Sequence, residues 1–255
     1  MNDWPLPSEL PDRSTPMPGE QAPLEPDDFP FWGYTDLLFV ALLFVFALLF
    51  LGLLAGLTGA RLSAKMLLGQ QLFVYAAGVL AMYAVIVMRY GRSFAGAMRW
   101  AATNAALRNG AVAGIGTAIG TSLLGALVGT GHMKDLPMKD VLSTKAMVAI
   151  VGLLAVTLGP LWEELTFRGF LLPLFAKSMG TPVAIFTTAV LFALLHGQEY
   201  GWGWRELLPI AFAGACFGVA RAVSGSTSVA VTMHAIYNLT IFSAFIAQGG
   251  LNNLK

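Results

Sequence analysis

The sequence predicts an all-α integral membrane protein, a polytopic bundle of about seven transmembrane helices. Three observations carry that prediction. Of the 255 residues, 56% are hydrophobic and only 11% are charged, with a mean hydropathy of +0.70, whereas soluble globular domains carry about 25% charged residues. Residues 37–57 run for 21 positions without a charged or strongly polar side chain. At 1.5 Å per residue that is enough to cross a hydrocarbon core about 30 Å thick. The charge is also unevenly divided: residues 1–36 hold eight acidic residues and one Arg (net −7), and the remaining 219 hold six acidic and fourteen basic (net +8).

Taken in order, residues 1–33 carry eight of the thirteen prolines and few large apolar side chains. Such a stretch buries too little surface to offset its chain entropy, so a disordered acidic tail is expected, followed by a helical domain over 34–255. The tail lacks the positive start of a secretory signal. A second span fits 67–88, interrupted only by Gln70 and Gln71. Residues 93–108 are amphipathic and include Arg99 and Arg108, which suits an interfacial segment, with an eighth crossing as the alternative. A third span fits 110–129, where Gly110/Gly114, Gly116/Gly120 and Gly125/Gly129 repeat the small-xxx-small spacing that lets helix backbones approach. Gly114-Ile-Gly116 lacks the strand and the spacing of a dinucleotide loop. Beyond Lys145 the spans are shorter and more polar: 146–176 with a break at Gly159-Pro160, then 182–197, 207–222 and 227–247.

Lys and Arg in the short segments between spans divide five against five, so the positive-inside bias assigns no orientation. The one cysteine, Cys216, excludes a disulfide within the chain and a Cys-cluster metal site. The basic excess is dispersed rather than clustered with aromatics, which excludes a nucleic-acid partner.

Between residues 141 and 229 the only carboxylates are Glu163, Glu164, Glu199 and Glu206, and the first two are adjacent inside an otherwise apolar segment. An ionisable group at membrane depth costs about 2.5 to 3.5 kcal/mol on insertion scales, so two together call for a reason. Glu164 and Arg168 stand at i,i+4 and can pair on one helix face, whereas Glu163 lies about 100° around the helix with no local cation. The division suggests that Glu164 and Arg168 are structural and Glu163 chemical. A buried, unpaired carboxylate is driven toward neutrality, which suits a general base. Two of the three histidines, His196 and His234, also lie in apolar spans, and His132 does not.

Counting residues tests whether these groups meet. Gly180 and Pro182 suit a turn between two helices. Glu163 lies fourteen residues before Lys177 and His196 fourteen after Pro182, so an antiparallel hairpin places both about 21 Å from the turn. His234 and Asn238 share a face but lie only seven and eleven residues past Thr227, which is about 10 and 17 Å from the same side and therefore shallower.

Glu163-Glu164-x-x-x-Arg168, Phe192-x-x-x-His196 and His234-x-x-x-Asn238 resemble, in this order, the three motifs of the CAAX prenyl protease type II / Abi (CPBP) intramembrane endopeptidases. The resemblance spans about residues 146–247; the first three spans and the tail carry no motif. It implies proteolysis within the membrane: Glu163 would activate the attacking water with help from His196, and His234 and Asn238 would stabilise the oxyanion. Glu164, Arg168 and Phe192 would support them. The residue types suit those roles, with a carboxylate base and polar donors on one face.

Because members of the family have been described as metalloproteases, zinc held by Glu163, His196 and His234 is the alternative to a site without cofactor or metal. No H-E-x-x-H pair is present to favour it. The expected partners are a protein or peptide substrate at the membrane and the lipid bilayer, in the plasma (inner) membrane of a bacterium. Two other functions compete. One is a proton-coupled transporter using Glu163 and the histidines as a relay, and the other a non-catalytic bacteriocin-immunity or scaffold protein.

Overall fold

The computed structural model describes residues 29–58, 64–130, 142 and 144–252. Tail residues 1–28, His132 and the loop cations Arg61, Lys134 and Lys139 lie outside the described residues. Everything regular among the described residues is helical. The order is α1 (Tyr34–Thr58), α2 (Ala64–Tyr83) running into a π-helical turn (Ala84–Arg89), α3 (Phe94–Ala97), α4 (Asn104–Val128) and α5 (Lys145–Val156). After these come α6 (Leu158–Glu164), a second π-helical turn (Leu165–Leu171), α7 (Leu172–Met179), α8 (Thr181–Leu195), α9 (Trp204–Ser224) and α10 (Thr227–Ala247).

Six stretches are long and apolar enough to cross a membrane: Tyr34–Leu53, Leu68–Arg89, Asn104–Val128, Lys145–Met179, Trp204–Ser224 and Thr227–Ala247. The seventh apolar helix, α8, has only 15 residues. The integral membrane bundle is therefore observed, with α8 as a short member. From Leu37 to Leu57 helix α1 is apolar around its whole circumference, and Phe46 and Leu49 are each 67% exposed, as suits a face toward lipid. No eighth crossing forms in 93–108. Ser93 caps the four-residue α3 by accepting from Gly96 N, Met98 is fully buried, and α4 starts afresh at Asn104 behind the Thr103 cap.

The expected break appears, and proline explains its position. Pro160 has no N–H, and its ring would clash with the carbonyl four residues back; the chain leaves helical geometry at Thr157 (φ −119°, ψ −85°) and re-enters at Leu158. The predicted turn is also present, with Gly180 at φ +80° and α8 starting at Thr181.

Helix α4 packs on α10 and α8 on α9. Of the glycine pairs, Gly110 and Gly114 make the first contact: a Cβ at Gly110 would lie 3.0 Å from the Val229 carbonyl, and one at Gly114 would collide with the Met233 carbonyl. Gly116 faces open space. Near the same end of the bundle, residues 29–33 belong to the core rather than to a free tail. Trp32, 2% exposed, stacks on Phe170 with centroids 5.2 Å apart and donates Nε1–H to the Phe170 carbonyl at 3.1 Å.

Candidate active site

Glu164 closes α6 and is fully buried, a position a carboxylate holds only with partners. It has two. Arg168 Nη1 donates to Glu164 Oε1 at 2.9 Å, as the i,i+4 spacing predicts, and His234 Nδ1 reaches the same oxygen from α10 at 2.8 Å. Arg168, also fully buried, donates through Nη2 to the Gly214 carbonyl of α9 and lies 4.9 Å from the Phe192 ring centroid. One ion pair thus ties the π-helical turn after α6 to both α9 and α10. Gly214 leaves the room: a Cβ there would stand 3.2 Å from Phe192 and 3.4 Å from Arg168 Nη2.

Glu163 points elsewhere, as its position around the helix requires. Its side chain keeps 16% exposure, and Oε2 lies 3.8 Å from His234 Nε2. The imidazole of His234 therefore stands between the two carboxylates, Nδ1 on Glu164 and Nε2 toward Glu163, with Phe217 stacked on it at 4.4 Å. Counting residues placed His234 shallower than Glu163, and the structure closes that gap. Helix α10 starts below the surface: Thr227 is fully buried, its N–H donates to the Arg99 carbonyl at 3.0 Å, and Ser226 Oγ donates to the Trp100 carbonyl. The 93–100 segment covers that start.

His196 caps the C-terminus of α8, and its Nδ1 bonds the Phe192 carbonyl at 2.9 Å. A carbonyl only accepts, so Nδ1 carries the hydrogen and Nε2 of the neutral ring is left as an acceptor. The Phe192 ring lies between the histidines, 4.8 Å from His196 and 5.7 Å from His234. Asn238, one turn beyond His234, donates Nδ2–H to the Ala155 carbonyl at 2.6 Å. That carbonyl sits in the last turn of α5, where the Pro160 break deprives it of a continuing helix. Glu163, Glu164, Arg168 and His234 are thus brought together directly, His196 joins through Phe192, and Asn238 stands at the helix break beside them.

Residues 145–240 match the family model described as type II CAAX prenyl endopeptidase Rce1-like. Neither a curated protein nor a solved structure matches the chain. The Rce1-like segment runs from the start of α5 into α10 and contains all seven motif residues. The match supports CAAX-type intramembrane protease activity in general terms.

Tyr75, from α2 and outside the Rce1-like segment, joins the site. Its ring stacks on Trp162 with centroids 4.7 Å apart. Its hydroxyl and Glu163 Oε1 each lie 3.7 Å from where a Cβ on Gly159 would be, so both open onto one space. A lone tyrosine among apolar residues gives no sequence signal for this. Glu199 and Tyr200, in the turn after His196, are likewise neighbours. Burial pushes the Glu199 carboxyl up from its ordinary range, against the pull of His196, and burial with the nearby Glu199 pushes the Tyr200 phenol up. Trp202 and Trp204, 63% and 65% exposed, follow at once, with Arg205 over the Trp204 ring. Such residues mark a membrane–water interface, so the Rce1-like site opens near one membrane surface.

Among the described residues, no three His, Cys, Asp or Glu side chains gather as a metal-binding group. Nδ1 of His234 is held by Glu164 and Nδ1 of His196 by the Phe192 carbonyl, so Nε2 is the ring nitrogen each leaves outside those bonds, with the Phe192 ring between the two imidazoles.

Proposed function

We propose that the protein is an intramembrane endopeptidase that hydrolyses peptide bonds of membrane-associated or lipid-modified protein substrates near the membrane surface, without a metal. The observation that carries this reading is His234 standing between two carboxylates, one fully buried and paired and the other partly open, inside the Rce1-like segment. Glu163 takes a proton from water as the oxygen attacks the scissile carbonyl carbon, and His196 accepts a hydrogen bond from that water through Nε2. As the tetrahedral oxyanion forms, His234 donates to it from Nε2, Nδ1 being engaged by Glu164. Asn238 gives its second amide hydrogen to the same oxyanion. When the C–N bond breaks, Glu163 returns the proton to the leaving amine. Donors fixed in advance around developing charge, in a site shielded from bulk water, supply the largest part of such catalysis.

The setting supported by the resemblance is the inner membrane of a bacterium, with protein or peptide substrates and the bilayer as partners. The test is cleavage of a membrane-protein and prenyl-peptide library by the purified full chain. Cutting by wild type that Glu163→Gln removes, and that a zinc chelator leaves intact, is the expected result. Cutting that persists in Glu163→Gln overturns the assignment of the base, and cutting that a chelator stops and zinc restores overturns the metal-free mechanism.

A further inference from the structure

A cleft of about 320 Å³ opens far from the catalytic residues, lined by Phe29, Arg99, Pro173, Lys177, Thr181 and Arg221 among others. Three of these are cations, and among the described residues no carboxylate lines the cleft. Arg221 is 6% exposed, and Nε donates to Thr227 Oγ1 at 3.1 Å. Nη1 and Nη2 have no hydrogen-bond partner among the described residues. Arg99 stands close enough to repel Arg221 and is itself held over the Phe29 ring at 4.2 Å. Lys177 donates one hydrogen to the Pro30 carbonyl at 3.2 Å and retains two. Gathering two more cations around a nearly buried guanidinium is unfavourable unless an anion joins them.

The position selects the anion. Three helix ends meet at this cleft, with the buried start of α10 at Thr227 beside them: α7 ends at Met179, α8 starts at Thr181 and α9 ends at Ser224. Helix ends in a membrane bundle lie at headgroup level. Below the cations the wall is apolar, formed by Leu172, Pro173, Ala176 and Ala222. Glu163 is fourteen residues from Lys177 along the helix, so this cleft faces the other membrane surface from the catalytic opening at Trp202 and Trp204. We propose that the cleft binds the phosphate of an anionic phospholipid, with Arg221, Arg99 and Lys177 on the headgroup and an acyl chain along the apolar wall. Guanidinium groups pair with phosphate through directed, charge-assisted hydrogen bonds, and basic pockets between membrane helices suit such headgroups. The lipid belongs to the leaflet opposite the one onto which the catalytic site opens.

The experiment is native mass spectrometry and thermal unfolding of the purified full chain with phosphatidylglycerol, phosphatidylcholine or inorganic phosphate. Retention of phosphatidylglycerol, with a raised Tm, and of neither of the others is expected. Arg99→Asn should lower that retention about tenfold, the effect of losing one charge-assisted contact. Arg99 is exposed and has φ +47°, a backbone that Asn tolerates, so this variant folds even where Arg221→Gln does not. Equal retention by wild type and Arg99→Asn overturns the site, and equal protection by inorganic phosphate overturns the lipid. A third overturning result is lipid retention that appears only in the double variant Asp27→Asn, Asp28→Asn, which makes the chain's own acidic segment the occupant.

Discussion

Glu163 and Glu164 are neighbours in sequence that differ in everything but chemistry. Glu163 is partly open and faces the Nε2 side of His234, so Glu163→Gln should lower cleavage by at least about a hundredfold while Tm in detergent stays within a few degrees. Glu164→Ala strands Arg168 and His234 in the core and should cost about 3–5 kcal/mol, read as a large fall in Tm; equal Tm losses for the two variants would remove the division between them. That division is legible in the sequence, because i,i+4 spacing gives Arg168 to Glu164 and leaves Glu163 without a partner. The bond from His234 to Glu164 is not, since it depends on how deep α10 sits. Tyr75 is equally silent, and its hydroxyl is the part facing Glu163. Tyr75→Phe should therefore reduce kcat with KM and Tm nearly unchanged, since the ring stack on Trp162 survives; an unchanged kcat would assign Tyr75 to packing alone.

Among the elements, the interrupted α5–α6 helix links backbone to chemistry. Pro160 breaks the helix, the break frees the Ala155 carbonyl, and Asn238 takes that carbonyl and is held by it. Pro160→Ala should let the helix run on, return the carbonyl to the helix ladder and release Asn238. We expect kcat to fall while Tm holds or rises, because a helix-interior proline costs about 3 kcal/mol; a fall in Tm with full activity would show that the break serves packing only. The proline made this break readable in the sequence. The turn after α8 offers a second test. Burial raises the Glu199 carboxyl, so the folded chain holds a proton there that the unfolded chain has released. That contribution is present in full below the ordinary carboxylate range and is lost as pH rises through the raised value. Glu199→Gln should flatten the decline of Tm with rising pH through that window, and an unaltered Tm–pH curve would count against the burial of this charge.

Over the whole molecule, the motif-bearing half is held in place by parts of the chain that carry no motif. Helix α4 sets the position of α10 through Gly110 and Gly114, and the 93–100 segment covers the start of α10, so the depth of His234 is decided outside the Rce1-like segment. Counting along α10 alone could not reveal this, because the covering segment is distant in sequence and reads as an interfacial stretch. The aromatic residues just before α1 do the same for the π-helical turn. Trp32 stacks on Phe170, two residues past Arg168, and Asp36, 1% exposed, fastens the entry to α1 by accepting from Gly33 N at 2.9 Å and Tyr90 Oη at 2.7 Å and pairing with Arg89 at 3.0 Å. Composition merges this anchor with the proline-rich residues before it, since both are short and poor in helical pattern. Deleting residues 1–28 should therefore leave Tm and cleavage unchanged, whereas Trp32→Ala should cost about 3–5 kcal/mol, as for other buried aromatics, and lower activity by loosening the turn that holds Arg168. Thermal unfolding and cleavage measured on both variants separate the two regions. A Trp32→Ala protein with wild-type Tm would mean that the motif-bearing helices hold their geometry without the N-terminal anchor.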